Sequence, residues 1–225
     1  MTNLFSCSIF LYEQHSTQKG RPHMKPGTRT LLIVAGIILL IVLSLYGCVV
    51  GTYNNLVQLE EGVKAQWAQV ENVYQRRADL IPNLVATVKG YASHERETLE
   101  AVVQARSKVG SLTLDSSVIE DTQKFEAFQQ AQAELSSTLS RLLVVVERYP
   151  ELKANENFLA LQAQLEGTEN RIAVERRRYN EVAQRFNTAI RRFPAVIIAN
   201  MFGFKEKAYF KAEAGAEKAP VVNFD

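Results

Sequence analysis

The sequence predicts an all-α protein, in which an N-terminal transmembrane helix is followed by an up-down antiparallel four-helix bundle with long helices. Three observations support this fold class. Residues 31–50 form an uncharged apolar run, apolar residues recur at helical spacing between residues 52 and 193, and no stretch sustains the alternation of a β-strand. We therefore expect four segments: an N-terminal extension at 1–30, the membrane helix at 31–50, the bundle at 51–194 and an aromatic C-terminal tail at 195–225.

The N-terminal extension is expected to be disordered or cytoplasmic. Residues 1–23 show no helical period, and Met24 is followed by Lys25 and then by the apolar run, as at a natural translation start. The true start is therefore Met1 or Met24, and we assign the extension no function.

The apolar run reads LLIVAGIILLIVLSLYGCVV and spans 20 residues. At 1.5 Å per residue, a helix of this length crosses a hydrocarbon core of about 30 Å. Four basic residues precede it: Lys19, Arg21, Lys25 and Arg29. No Lys or Arg follows until Lys64. The positive-inside rule therefore predicts a single-pass protein with its N-terminus in the cytoplasm and its C-terminal domain outside.

Cys48 leaves a second form of anchoring open. Leu45 lies three residues before it and Gly47 directly before it, as in a lipoprotein signal. Tyr46 is bulky for that motif, and apolar residues continue past Cys48. A cleaved signal peptide would instead have a shorter apolar region and an Ala-x-Ala-like exit. With either a spanning helix or a lipid on Cys48, the protein is tethered to a membrane.

Four apolar lines at helical spacing follow the anchor, at residues 56–80, 84–109, 125–149 and 158–193. The expected helices are about 26–39 residues, or about 40–60 Å, long. Pro82 lacks an amide hydrogen and restricts the residue before it, so the first helix should end or kink near 79–82. If Pro82 only kinks the helix, three long helices remain. Residues 110–122 are rich in Ser, Thr and Asp and predict a loop, and Pro150 and Pro194 should end the last two helices.

Charged residues interrupt the apolar lines and need partners. Arg77, Glu95 and Glu175 occupy positions where apolar side chains are expected, and a buried unpaired charge costs several kcal/mol. Our hypothesis is that Arg77, together with Arg76, meets Glu175 or Glu169 between the first and fourth helices. The alternative is that these long side chains reach solvent at the edge of the bundle. Such a pair would set helix register, not perform catalysis.

Several blocks of sequence resemble a known family. They are YNNLV at 53–57, WAQVE at 67–71, YQRRADLIPNLV at 74–85, ENRIAVERRRYN at 169–180, FGFK at 202–205 and YF at 209–210. Together, in this order, they resemble the LemA family over residues 50–225. The resemblance implies a bacterial, membrane-anchored helical-bundle protein without an established biochemical activity, working alongside membrane-associated partners. With the charge bias, it places the protein in the inner membrane with its C-terminal domain in the periplasm.

Composition argues against most catalytic and metal chemistry. The chain has three His and two Cys, and His94, the only His of the predicted bundle, stands in a charged stretch. Isolated glycines form no phosphate-binding loop. We therefore predict no catalytic residue, cofactor or metal site. A net charge of +2 argues against nucleic-acid binding. The arginines of the fourth helix are interpreted as interhelical pairs and a solvated face, with an anionic-lipid or partner patch as the alternative.

The tail contains the run AVIIANMFGFKEKAYF at 195–210, which is apolar and aromatic. Exposed apolar segments usually mark an interface, so Phe202, Phe204, Tyr209 and Phe210 are candidate interaction residues. The alternative is that the tail folds back and caps the end of the bundle. The sequence as a whole predicts a non-enzymatic scaffold or adaptor. Its expected partners are the membrane, an unidentified membrane or envelope protein, and a second copy of the chain. The alternative functions are a regulator of a membrane protease or envelope-stress pathway, and an anionic-lipid-binding module.

Overall fold

The computed structural model describes residues 26–112 and 116–211, and every regular element in those ranges is a helix. The prediction of an all-α protein with an N-terminal apolar helix is confirmed. The elements are α1 (Pro26–Tyr91), α2 (Arg96–Gly110), a 3₁₀ turn (Val118–Glu120), α3 (Thr122–Val146), α4 (Pro150–Lys153), α5 (Glu156–Arg191) and α6 (Ala195–Phe202).

The chain divides into two units, Met1–Gly47 and Cys48–Asp225. The described part of the first unit is the apolar start of α1, whose large side chains are exposed from Leu31 to Leu45. Within the described residues, α1 is the one helix long and apolar enough to cross a membrane. Exposed aliphatic side chains around the whole circumference are typical of a helix whose solvent is lipid.

Helix α1 does not end at Pro82, contrary to one of the two predictions for this proline. It continues through Pro82 to Tyr91, and α2 begins only at Arg96. Proline cannot donate to the carbonyl four residues before it, which is that of Ala78. The Nε of Arg106 in α2 donates to this carbonyl oxygen at 2.9 Å. The Arg106 side chain of α2 thus replaces the backbone hydrogen bond that Pro82 cannot make to Ala78.

The second helix is therefore shorter than predicted, at 15 residues. Long helices occur at α3, with 25 residues, and α5, with 36 residues. The predicted loop at 110–122 also contains order that its composition did not indicate, because Val118 and Ile119 of the 3₁₀ turn are buried. Residues 113–115 of that loop lie outside the described residues.

Side-chain caps set the starts of α3 and α5. The Asp121 carboxylate accepts hydrogen bonds from the backbone N–H groups of Gln123 and Lys124 at 2.9 and 3.2 Å. The Asn155 side chain accepts from the N–H of Phe158 at 3.0 Å. Each cap satisfies donors that the first turn of a helix leaves without partners.

The buried side chains of the second unit form two clusters. One joins α1, α2, α3, α4 and the first part of α5, and includes Leu84, Val102 and Leu135. The other joins α1, α3 and the second part of α5, and includes Trp67, Phe125 and Phe186. In this second cluster the fourth side of the core is closed by the 3₁₀ turn, α6 and the C-terminal tail instead of α2.

Candidate functional site

The tail after α6 folds back along the bundle. Gly203 ends α6 with φ 77°, in the left-handed region that suits glycine. The N–H of Phe204 donates to the carbonyl of Ala199 at 3.0 Å, five residues back, as in a Schellman motif. The chain then continues without regular secondary structure through residues 204–211, which we call the C-terminal strap.

Two asparagines of α5 hold the strap by its backbone. Asn187 donates through Nδ2 to the carbonyl of Lys207 and accepts from its N–H, both at 2.8 Å. Asn180 makes the same pair of bonds with Phe210, both at 2.9 Å. Seven helical residues rise about 10.5 Å and three extended residues cover about 10 Å, so the two spacings match. The strap therefore runs antiparallel to α5 in a fixed register.

Lys207 fastens the strap through a buried charge. Its side chain is 1% exposed, and its Nζ donates to Glu60 Oε1 and Glu120 Oε1 at 2.8 Å each. The ammonium lies 5.4 Å from the centroid of the Phe186 ring. The hydrogen bond from Lys207 lowers the pKa of Glu120 below its usual value, against the opposing effect of burial. The ammonium of Lys207 thus connects the strap to α1 and to the 3₁₀ turn. The backbone of the strap is bound separately, by the asparagines of α5.

The residue after Lys207 is also bound through its backbone. The N–H of Ala208 donates to the carbonyl of Ile119 at 3.1 Å, and its carbonyl accepts from the Tyr179 hydroxyl at 3.0 Å. Burial raises the pKa of Tyr179 well above its usual range, so the hydroxyl keeps its proton and remains a donor.

Phe210 inserts into an aromatic cluster. Its ring centroid lies 4.8 Å from that of Phe125, 5.5 Å from that of Tyr179 and 6.1 Å from that of Trp67. The Arg176 guanidinium covers the outer side of the Phe210 ring at 4.8 Å. Aromatic pairs at these separations contribute about 0.5–1.5 kcal/mol each beyond the area that they bury.

The four aromatic residues singled out in the tail thus lie in different environments. Phe210 is buried in the core, and Phe204 is half-buried between Tyr53 and Phe186. Phe202 and Tyr209 keep exposed side chains, although Phe202 also contacts the Tyr53 ring at 4.7 Å. Only Phe202 and Tyr209 of these four therefore offer a large apolar surface to a partner.

A second polar cluster surrounds Arg77, which is 1% exposed. Its Nη1 donates to Glu169 Oε1 at 2.6 Å and to Ser136 Oγ at 2.9 Å, and its Nη2 donates to Gln132 Oε1. The guanidinium carbon lies 5.2 Å from the centroid of the Tyr74 ring. The structure brings Arg77 and Glu169 together between α1 and α5, with α3 completing the set.

The other two residues of the predicted polar pairs lie elsewhere. Arg76 is exposed. Glu175 accepts from Gln66 Nε2 of α1 at 2.6 Å and from Arg178 of its own helix at 2.8 Å. It therefore connects α1 and α5 at Gln66, about three turns of α1 before Arg77, without contributing to the Arg77 cluster.

The arginines of α5 fall into two groups. Arg176 donates to the carbonyl of Lys211 at 2.9 Å, Arg178 pairs with Glu175, and Arg191 lies 3.6 Å from Glu206. The arginines outside these contacts are exposed and spread along the helix and just after it: Arg171, Arg177, Arg185 and Arg192. This distribution favours structural pairs and a solvated face over a single basic patch.

A crevice of about 420 Å³ opens beside the Arg77 cluster between α1, α3 and α5. Its lining consists of Tyr74, Arg77, Gln129, Gln130, Gln132, Ala133, Ser136, Glu169, Ile172, Arg176 and Lys211. The inner wall contains Gln132 Nε2, a buried donor with no hydrogen-bond partner among the described residues. Arg176 and Lys211 stand at the mouth. The volume suits one or two side chains of a partner, and the donors suit an acidic one.

Side chains that commonly bind metal ions are dispersed in residues 26–112 and 116–211. No group of three or more His, Cys, Asp or Glu side chains there could hold a metal ion. Cys48 is an exposed free cysteine on α1, within the apolar run. The candidate lipidation of Cys48 remains a prediction.

Sequence reasoning missed the residues that fasten the strap. Lys207 stands in an aromatic segment, and Asn180 and Asn187 are seven residues apart on an amphipathic helix. Polar side chains at a two-turn spacing were the available signal. Without knowledge of the extended tail, however, nothing in the sequence indicated what those side chains bind.

Comparison of the sequence with protein families gives one match that covers most of the chain. The LemA family profile matches residues 66–224, a range that contains the Arg77 cluster and the described strap. The chain belongs to the LemA family. Protein LemA of Metamycoplasma hominis is 26% identical over 167 residues, covering 74% of this chain and 72% of that protein.

Two further relatives of this LemA chain carry a different name. Magnetosome protein MamQ 2 of Paramagnetospirillum magneticum is 26% identical over 186 residues. Magnetosome protein MamQ of Magnetospirillum gryphiswaldense is 25% identical over 189 residues. Each alignment covers 76% of this chain and 68% of the relative. The LemA chain is thus a membrane-anchored helical protein with relatives similar along most of their length.

Proposed function

We propose that this LemA-family protein is a non-enzymatic, membrane-tethered scaffold or adaptor. The observation that carries the proposal is the crevice between α1, α3 and α5, whose walls are preformed by the buried Arg77 cluster and whose mouth is lined by the fastened end of the strap. A preformed, donor-rich crevice on a rigid helical body is suited to holding a partner segment. The names of the relatives refer to the family and to a magnetosome, not to a reaction.

The proposed partner presents an acidic side chain to the crevice. Arg77 is neutralised by Glu169, whereas Arg176 and Lys211 add basic groups to the lining, of which Lys211 also has an exposed pair with Glu126. Gln132 Nε2 supplies a further donor that is already desolvated. A carboxylate entering the crevice would accept from these groups in a partly water-excluded site, where charge-assisted hydrogen bonds are about twice as strong as neutral ones.

We further propose that the anchor spans the bacterial inner membrane once and places the bundle, residues 51–194, in the periplasm. The basic residues before the apolar run support this orientation through the positive-inside rule. The partner would then be a membrane or envelope protein, or a second copy of the chain.

Position-specific photocrosslinking in living cells tests the scaffold. A photoreactive amino acid replaces Ala133, an exposed crevice residue of α3, in the full-length protein. The matched control replaces Ala127, an exposed alanine of the same helix outside the crevice. We expect a discrete adduct from position 133 that is absent from position 127 and reduced several-fold by Lys211→Glu.

Two outcomes would count against the proposed crevice. Equal adducts from both positions would show that the crevice has no preference for a partner. An adduct whose yield is unaffected by Lys211→Glu would contradict the proposal that the partner presents an acidic side chain to the crevice. Lys211 is exposed and its Nζ pairs with Glu126 at 3.2 Å on the surface, so the substitution should leave the fold intact.

A further inference from the structure

Helix α6 and the residue Phe193 before it expose a group of large apolar side chains. Phe193, Ile197 and Met201 follow one another at intervals of four residues, and they are 81%, 59% and 64% exposed. Phe202 extends the stripe at 53% exposure. Ile198 and Ala199 of the same helix are buried in the core. We call these four exposed residues the α6 stripe, and a row of large apolar side chains in contact with water marks an interface.

The α6 stripe lies beside the residues of α1 that directly follow the apolar run. Phe202 contacts the ring of Tyr53 at 4.7 Å. Tyr53 and Val50, the last residue of the run, belong to the same unit and the same helix. Three helical residues rise about 4.5 Å, and the headgroup layer beyond each face of the hydrocarbon core is about 5–7 Å thick. A hydrocarbon boundary at Val50 would therefore place Tyr53, and Phe202 beside it, at the depth of the lipid headgroups.

The residues around the stripe suit that environment. Tyrosine rings are enriched at the membrane interface, because they combine an apolar body with a polar tip. Arg192 directly precedes the stripe and Lys205 follows it closely, and both are exposed. Acidic groups are also near, since Glu206 lies 3.6 Å from Arg191. The apolar side chains, flanked by two long basic ones, have the composition of a helix that lies in the interface plane.

We propose that the α6 stripe is a second membrane contact, in which Phe193, Ile197, Met201 and Phe202 insert at the boundary between the headgroups and the acyl chains. The occupant of this surface is the lipid of the bilayer that α1 enters, not a protein partner. The inference goes beyond the scaffold function and does not depend on it. Its consequence is that the bundle is held to the bilayer at two places, by α1 and by α6.

Depth-dependent fluorescence quenching tests the second contact. The full-length protein, with Cys7 and Cys48 replaced by serine, receives Ile197→Cys and is labelled with the environment-sensitive dye NBD. It is reconstituted into vesicles of phosphatidylcholine and phosphatidylglycerol in equal amounts, with and without nitroxide-bearing phosphatidylcholine. We expect a blue-shifted emission and several-fold stronger quenching than at a control position.

The control is Val144→Cys. Val144 is an aliphatic residue with 70% exposure near the end of α3. Its neighbour Val146 belongs to the core cluster of Val88, which lies roughly 55 Å beyond Val50 along α1. A dye there should report water and show little quenching. Met201→Cys provides a second position within the stripe, in case the dye at position 197 perturbs α6.

The outcomes separate lipid from protein as the occupant. The vesicles contain no other protein, so strong quenching at positions 197 and 201 can come only from lipid. Quenching at both positions no greater than at position 144 would overturn the proposal and leave the stripe to a protein partner. Because crosslinking at Ala133 reads a different surface, either proposal can fail while the other stands.

Discussion

A single side chain, Arg106, explains why a proline lies inside a long helix. Its Nε replaces the backbone donor that Pro82 lacks and satisfies the carbonyl of Ala78. A buried acceptor without a partner costs about 1–3 kcal/mol, which is an upper range for the part-buried Ala78 carbonyl. The contact also joins α2 to α1, so one hydrogen bond both permits the helix to continue and positions the next helix.

Substitution of Arg106 is expected to depend on Pro82. Arg106→Ala should lower the free energy of unfolding by about 1–3 kcal/mol, because the Ala78 carbonyl loses its partner. In a Pro82→Ala background the new N–H can bond to that carbonyl, so the same substitution should cost at least about 1 kcal/mol less. Chemical unfolding of the four proteins of this cycle in detergent micelles, followed by circular dichroism, measures the coupling.

Arg96→Ala is the matched control for this cycle. Arg96 lies on the same helix as Arg106, and it is an exposed residue that pairs with the carboxylate of Glu100 at 3.7 Å. Exposed pairs of this kind contribute about 0–1 kcal/mol, and the loss should be the same in the wild-type and Pro82→Ala backgrounds. Equal losses for Arg106→Ala in both backgrounds would refute the role given to the Ala78 carbonyl.

The partners of the two buried cations, Arg77 and Lys207, differ in how well the sequence predicts them. Arg77 interrupts a regular apolar line, so the need for a carboxylate partner on another helix could be inferred, and Glu169 was one of two candidates. Lys207 lies in an extended segment without periodicity. Nothing marked it as buried, and its partners Glu60 and Glu120 come from distant parts of the chain.

At the scale of elements, the C-terminal strap takes the place of a helix in half of the core. Alternation of apolar and polar residues at helical spacing revealed α1, α3 and α5, because long amphipathic helices leave a strong pattern. The strap leaves none. It is held by side chains of α5 and by the 3₁₀ turn, and both contacts depend on tertiary structure that a local pattern does not record.

Acidification is expected to loosen the strap through Glu120. The folded state lowers the pKa of Glu120, chiefly through the hydrogen bond from Lys207, with smaller effects from the charges of Lys64 and Lys205. A depressed carboxyl pKa contributes stability above the unfolded value, near 4.5, and loses it as the pH falls through the folded value. The difference in unfolding free energy between the wild-type protein and Glu120→Gln should therefore be present at neutral pH and shrink below 4.5.

The size of that difference should be about 1 kcal/mol or less, since the Glu120 side chain is 40% exposed. Glu126→Gln provides the comparison, because Glu126 contacts the strap through Lys211 in an exposed pair. A Glu120→Gln difference that stayed constant from neutral pH to about pH 3 would contradict the proposed linkage.

At the scale of the whole molecule, the anchor and the bundle were the most predictable parts. Twenty uncharged apolar residues have few uses other than a membrane, and the blocks that resemble the LemA family fall largely within the region that its profile matches. The mode of anchoring is less determined by sequence, because a spanning helix and a lipid on Cys48 use the same apolar run.

Intact-mass measurement of the membrane-extracted protein distinguishes the two modes. We expect a mass that includes the apolar run and an unmodified Cys48. A species that begins at Cys48 and carries a lipid would refute the spanning helix.

The orientation of the bundle is tested separately. A membrane-impermeant maleimide should label Val144→Cys, in a chain without other cysteines, in intact spheroplasts. Labelling only after lysis would reverse the proposed orientation.

The strap also sets the order in which the protein can mature. Lys207 and Glu60 are separated by 147 residues, and Phe210 closes the ring cluster around Trp67. While the ribosome is still making α5, the core cluster around Trp67 lacks the strap residue Phe210. Contacts between such distant residues form late, and incomplete chains expose aggregation-prone surface. A chain truncated shortly before residue 207 is therefore expected to lack a complete core and to be digested by protease faster than the full-length protein.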